Sequence, residues 1–210
     1  EVVRSAPDGY TLMLSNSTPL SIGPWTVPKL PYDPVKQFTH VAMLGIAPVA
    51  ILANPKTGPA SLKDLPKAAG GANGYSFGSG GPGSIGHIVG EMVKHEMKPM
   101  RKSGQLKGLA VTSRSRSPLA PDVPTVVELG YPQLVAENYF GVSGPAGLPK
   151  DVADKLATAL ATVAADPQVI KRFEELGITP LKLSSGQFAD YVAKQISDWA
   201  PAIKAADMKP

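Results

Sequence analysis

The residues best placed to do chemistry form a run of glycines and serines, Gly78-Ser79-Gly80-Gly81-Pro82-Gly83-Ser84, between a short strand-like segment and an amphipathic helix. Glycine leaves backbone N–H groups uncovered, and the helix start adds a partial positive charge. Together these can cradle a carboxylate or a phosphate. The run lacks the Gly-Lys-Ser/Thr ending of a P-loop. Gly78, Gly80 and Gly83 do spell G-x-G-x-x-G, but the acidic residue that a dinucleotide site needs further on is missing, since Glu91 and Glu96 still lie on the helix. From the residues alone three readings stay open: simple anion binding, a purely structural turn, or a nucleotide site.

Other constellations are weaker. His87, Glu91 and His95 follow at helical spacing and share one face. The two imidazoles are separated by two turns, about 12 Å of rise, too far for one ion, so a polar, salt-bridged face is the simpler reading. No Gly-x-Ser-x-Gly elbow occurs, and none of the three histidines has a suggestive acid partner. With no cysteine, disulfides and thiolate chemistry are excluded. Trp25 and Trp199 read as core or hinge packing. The inventory favours binding over catalysis, with no catalytic residue, metal or cofactor expected.

The elements that must position the loop alternate between strand and helix. Tyr10–Leu14, Val41–Leu44, Val49–Ala53, Tyr75–Phe77, Leu109–Thr112, Phe140–Ser143 and Ile178–Leu183 read as strands. Ser61 can cap a helix through about Ala69, closed by Gly70-Gly71. The helix after the glycine loop begins at Pro82 or Gly83, runs to Met97 and presents Ile85, Ile88, Val89, Met92 and Val93 to a core. Pro124-Thr125 opens a short helix. Lys150–Ala165 carries Val152, Leu156, Leu160 and Val163 on one stripe. Asp166 caps the next helix with Pro167 at its first position, and Gly177 ends it. The last helix, from Ser185, puts Phe188, Val192, Ile196, Trp199 and Ile203 on one stripe, and Pro201 should kink or end it near Ser197. This alternation argues an α/β fold with mostly parallel sheets.

Composition agrees with a globular chain: 210 residues, 43% hydrophobic and 18% charged. The net charge of +4 favours anionic ligands but is too small to argue nucleic acid. Between Met97 and Pro121 there are six basic residues and no acidic ones, without the interleaved aromatics that stack on bases. No nucleic-acid partner is expected. No apolar run could span a bilayer, and no signal peptide is present, which fits a cytosolic chain or one whose leader has been removed.

Several ordered motifs together resemble one family. They are Ser5-Ala6-Pro7-Asp8-Gly9-Tyr10-Thr11-Leu12, Leu30-Pro31-Tyr32-Asp33 with Phe38, the Phe77–Ser84 run with His87 and Glu91, Gly108–Ser113, Pro121–Gly130 and Gly144–Pro149. The chain is similar to the periplasmic solute-binding receptors of tripartite tricarboxylate transporters, the Bug family. The resemblance implies a two-lobed, hinged periplasmic-binding-protein fold of the Venus-flytrap, type II kind, with residues 1–53 plus 141–210 in one lobe and 54–140 in the other. It implies a non-enzymatic, monomeric periplasmic receptor that closes on a small carboxylate (a di- or tricarboxylate, an acidic amino acid or an aromatic acid) and delivers it to membrane permease subunits. The alternative is a small α/β enzyme that uses the Gly78–Ser84 loop for a phosphorylated substrate or cofactor.

Carried over by position, the implied ligand residues are Asn16, Ser17 and Thr18 on the first lobe, and Ser79, Gly80, Gly81, Gly83 and Ser84 on the second. His87 joins them as a contact or as a support for the loop, and Tyr139 as an aromatic beside the hinge. The chain departs from the family in two places. It begins after the family's first strand and glycine-rich loop, and a block carrying a Pro-Tyr-Lys/Arg-Gly motif is absent between Met97 and Arg101. Ligand affinity without those segments is expected to be weakened.

Overall fold

The computed structural model describes residues 1–66, 76–81, 83–97 and 107–205. Within these, the chain divides into two compact units, one formed by Glu1–Ala47 and Asn138–Pro201, the other by Pro48–Glu137 and the residues from Ala202 on. The divisions fall at strand ends, a few residues before the expected crossings near Asn54 and Phe140. The expected ends of the Ser61 helix, the Tyr75 strand start, Pro82 and the junction after Met97 lie outside the described residues.

The first unit is built on a four-stranded sheet. Its strands are β1 (Met13–Asn16), β2 (Phe38–Pro48), β5 (Glu137–Pro145) and β6 (Thr179–Leu183), in the order β1-β5-β2-β6. β1 begins later than expected because Pro7-Asp8-Gly9 makes a turn. The Asp8 carboxylate accepts the Tyr10 N–H at 3.0 Å, and Tyr10 is left 93% exposed. A single helical turn, α1 (Gly23–Thr26), follows β1 through a π-turn at Thr18–Ile22.

The second unit pairs β3 (Ala50–Ala53) with β4 (Lys107–Val111) and carries α2 (Ile85–Met97). Returning to the first unit, the chain forms α3 (Lys150–Val163), α4 (Pro167–Glu175) and then α5 (Ser185–Ala205).

The expectation of mostly parallel sheets is corrected for the ladders described. β1 with β5, β2 with β6 and β3 with β4 are all antiparallel. The α/β class itself stands.

Two apolar layers cover the first unit's sheet. Leu20, Phe38, Met43 and Tyr139 pack with Phe188 and Val192 of α5. On the other side Val41, Ala42 and Leu148 meet the α3 stripe of Val152, Leu156 and Leu160. Val163, expected on that stripe, is 55% exposed, because it stands at the last turn beyond the sheet contact.

In the second unit α2 buries Ile88, Val89 and Val93, while Ile85 and Met92 are only half-buried. Buried Thr112 joins this unit's segments: its hydroxyl oxygen accepts the Val49 N–H at 2.8 Å and lies within hydrogen-bond reach of the Ala136 carbonyl.

Three local expectations change. Ser61 does not cap a helix through its side chain; its hydroxyl donates to the Asp64 carboxylate at 2.6 Å, and a 3-10 turn spans Leu62–Asp64. Pro124-Thr125 opens a turn, not a helix. In it the Glu128 carboxylate accepts the Thr125 N–H at 2.8 Å and Thr125 Oγ1 accepts the Glu128 N–H at 3.0 Å, a capping box without its helix. Pro201 sits inside α5, which continues to Ala205. Buried Trp199 and Ile203 flank the proline, and their packing holds both sides while only the bond to the Ser197 carbonyl is forgone.

Candidate functional site

The glycine loop begins after Phe77 and ends in the first turn of α2. Gly81 and Gly83 have φ of 108° and 75°, left-handed values that glycine reaches without steric cost. Ser84 Oγ donates to the Gly81 carbonyl at 2.8 Å and accepts the His87 N–H at 3.2 Å, so it acts as the cap of α2. The Ser84 N–H also turns to the Gly81 carbonyl, at 3.2 Å. Gly83 N–H points to His87 Nδ1 at 3.1 Å, and Gly81 N–H makes a long bond of 3.3 Å to Ser79 Oγ.

These internal bonds sort the residues named from the sequence. Gly81, Gly83 and Ser84 spend their donors inside the loop. Ser79 and Gly80 are exposed, and among the described residues their N–H groups meet no partner. The Ser79 oxygen accepts from Gly81, and among the described residues its hydroxyl hydrogen has no acceptor. His87 and Glu91 do not form a metal pair: His87 Nδ1 is occupied by Gly83, and the Glu91 carboxylate is 2.9 Å from Lys94 Nζ.

The segment after β1 is locked differently. Ser17 is fully buried; its N–H donates to Asn138 Oδ1 at 3.2 Å, and its Oγ accepts the Tyr139 N–H at 3.1 Å. Asn16 Oδ1 accepts the Thr18 N–H at 3.0 Å. Among the described residues, the side-chain nitrogen of Asn16 and the exposed hydroxyl of Thr18 have no partner. Ser17 thus ties the segment after β1 to β5.

Tyr139 is packed into the core. It is fully buried, its phenol lies 3.0 Å from Ser21 Oγ, and its ring packs edge-on to Phe188 and Tyr191. Burial pushes the phenol well above its ordinary pKa. Its neighbour Asn138, not singled out in the sequence, is half-buried; its side-chain oxygen holds Ser17, and its amide nitrogen has no partner among the described residues. The available signal was alternation: in a strand, adjacent residues point to opposite faces, so a core Tyr139 places Asn138 on the other face.

The model of the tripartite tricarboxylate transporter family receptor matches residues 1–99 and 95–208. The chain belongs to that family. The two matched stretches meet at 95–99, the place where the sequence motifs indicate an absent block.

This member of the receptor family is 28% identical to protein BugT of Bordetella pertussis over 242 aligned positions, covering 98% of this chain and 74% of that one. The solved periplasmic binding protein BugD superposes with a TM-score of 0.82 at 25% identity, covering 99% of this chain and 82% of that one. R. palustris Rpa4515, solved with adipate, shares the fold at a TM-score of 0.88 and 21% identity, over 100% of this chain and 82% of that one. The fold is that of periplasmic binding proteins, and the family is one of solute-binding receptors.

Proposed function

We propose that this chain captures a small carboxylate in the periplasm and passes it to the membrane permease subunits of a tripartite transporter, as a monomer and without covalent chemistry. The observation that supports this most is the donor set of the glycine loop. Ser79 and Gly80 offer backbone N–H groups and Ser79 a hydroxyl, close to the start of α2, and among the described residues no cationic side chain is bonded to the loop. Such donors suit an anion that must be released again, since they hold it without a buried countercharge. Within the first unit, the amide nitrogens of Asn16 and Asn138 and the Thr18 hydroxyl make up a second set of candidate donors.

A panel of malate, adipate, citrate, aspartate, glutamate and benzoate in a thermal-shift screen, followed by calorimetry, tests this reading. A carboxylate should raise the unfolding midpoint and titrate to one site per chain. A screen in which nucleotides shift the midpoint and no carboxylate does would overturn it in favour of a phosphate-using enzyme.

A further inference from the structure

We propose that His87 is a positioning residue, one that sets the shape of the glycine loop and does not itself touch the ligand. This rests on the carboxylate reading for its purpose, but its geometry stands on its own.

One imidazole ties down both ends of the loop. At the far end, Nδ1 accepts the Gly83 N–H at 3.1 Å. At the near end, the ring lies against Phe77, with centroids 6.3 Å apart and planes inclined by 25°. Phe77 reaches that place only because position 90 of α2 has no side chain: a Cβ on Gly90 would stand 2.1 Å from the Phe77 ring. The His87 backbone N–H adds a third tie through Ser84 Oγ, which in turn holds the Gly81 carbonyl.

The chemistry follows from the direction of the Gly83 bond. A backbone N–H can only donate, so Nδ1 is the bare nitrogen and Nε2 carries the ring hydrogen. The Gly83 donor is thereby withheld from a ligand, and the left-handed Gly81 and Gly83 are fixed in one conformation. Glycines at such angles otherwise sample a wide range. Among the described residues, Gly78, Ser79 and Gly80 are then the loop residues whose N–H groups are left to face an anion.

Long-range ¹H–¹⁵N spectra of the uniformly labelled 210-residue chain read the tautomer directly. The expected result is an unprotonated Nδ1 and a protonated Nε2 at His87; a hydrogen on Nδ1 overturns the proposal. Amide exchange and calorimetry with malate and adipate complete the test. His87→Ala should speed Gly83 exchange and weaken carboxylate binding, each by about five- to tenfold, the usual worth of one hydrogen bond. His87→Gln, which restores an acceptor on a flexible stem, should recover part of both. Unchanged Gly83 exchange in His87→Ala, or an Nε2 resonance that moves on ligand addition with no rescue by His87→Gln, contradicts a positioning role. Should His87→Ala fail to fold, the wild-type tautomer and Gly83 protection decide the matter. If no carboxylate binds the wild type, the receptor reading fails while those two measurements still judge the loop.

Discussion

A buried line of hydroxyls and one imidazole shows how single residues carry consequences that their types alone do not announce. His40 Nε2 lies 3.1 Å from the Pro34 carbonyl, Nδ1 lies 2.9 Å from Ser143 Oγ, and Ser143 Oγ lies 2.9 Å from Ser15 Oγ. A carbonyl only accepts, so Nε2 donates, Nδ1 accepts from Ser143, and Ser143 accepts from Ser15. The ring is neutral, and burial lowers its pKa below the ordinary 6.5. The unfolded chain then binds the proton more readily than the folded one. The sign is clear: stability is highest above the ordinary histidine value and falls as the pH drops below 6.5 toward the lowered folded value. Urea midpoints from pH 8 to pH 5 should decline in the wild type, and His40→Gln should decline less steeply from a lower start. Equal slopes in the two proteins would contradict a neutral buried imidazole. A second residue-scale expectation concerns Gly83, whose φ of 75° forces strain on any side chain. Gly83→Ala should cost about 1–2 kcal/mol in denaturant unfolding.

At the scale of elements, legibility followed the strength of local chemistry. Asp166 and Pro167 open α4 as the sequence indicates: the Asp166 carboxylate accepts the Gln168 N–H at 2.7 Å, and Gly177 closes the segment at φ 71°. Asp166→Ala should therefore lower stability by about 1 kcal/mol, measurable as a shift in the denaturant midpoint at constant slope. Apolar periodicity likewise placed α2, α3 and α5. It failed where tertiary packing overrode a local rule. Pro201 is expected to kink or end α5 near Ser197; the helix does not end there, and Trp199 and Ile203 bury on either side of the proline. Restoring the missing N–H with Pro201→Ala should raise the melting midpoint, the regained bond to Ser197 outweighing the freer unfolded chain. A midpoint that falls would show that the proline is favoured in the folded helix. Strand direction was illegible because it depends on the order in which strands meet, not on their composition. Around the proposed site, motif positions pick out the glycine loop, while the burial of Ser17 and Tyr139 and the contact of Asn138 with Ser17 depend on tertiary packing that no motif carries.

For the whole molecule, the family assignment is that of a solute-binding receptor, and the donor chemistry of the glycine loop supports the proposal of a reversibly held carboxylate. The family match runs from residue 1 to residue 208 with its join at 95–99, so most of the receptor's sequence is retained on both sides of the join. The positive net charge of +4 suits an anionic ligand without fixing which one. The most direct measurement is the melting midpoint of the chain with and without adipate or malate, repeated with the Ser79→Ala variant. At a tenfold excess over Kd a ligand adds about 1.4 kcal/mol, roughly 3–6 °C for a chain of this size. The wild type should show such a shift, concentration-dependent and reduced in Ser79→Ala. A midpoint that stays fixed across the carboxylate panel at millimolar concentrations, or a shift that nucleotides alone produce, would contradict the receptor assignment.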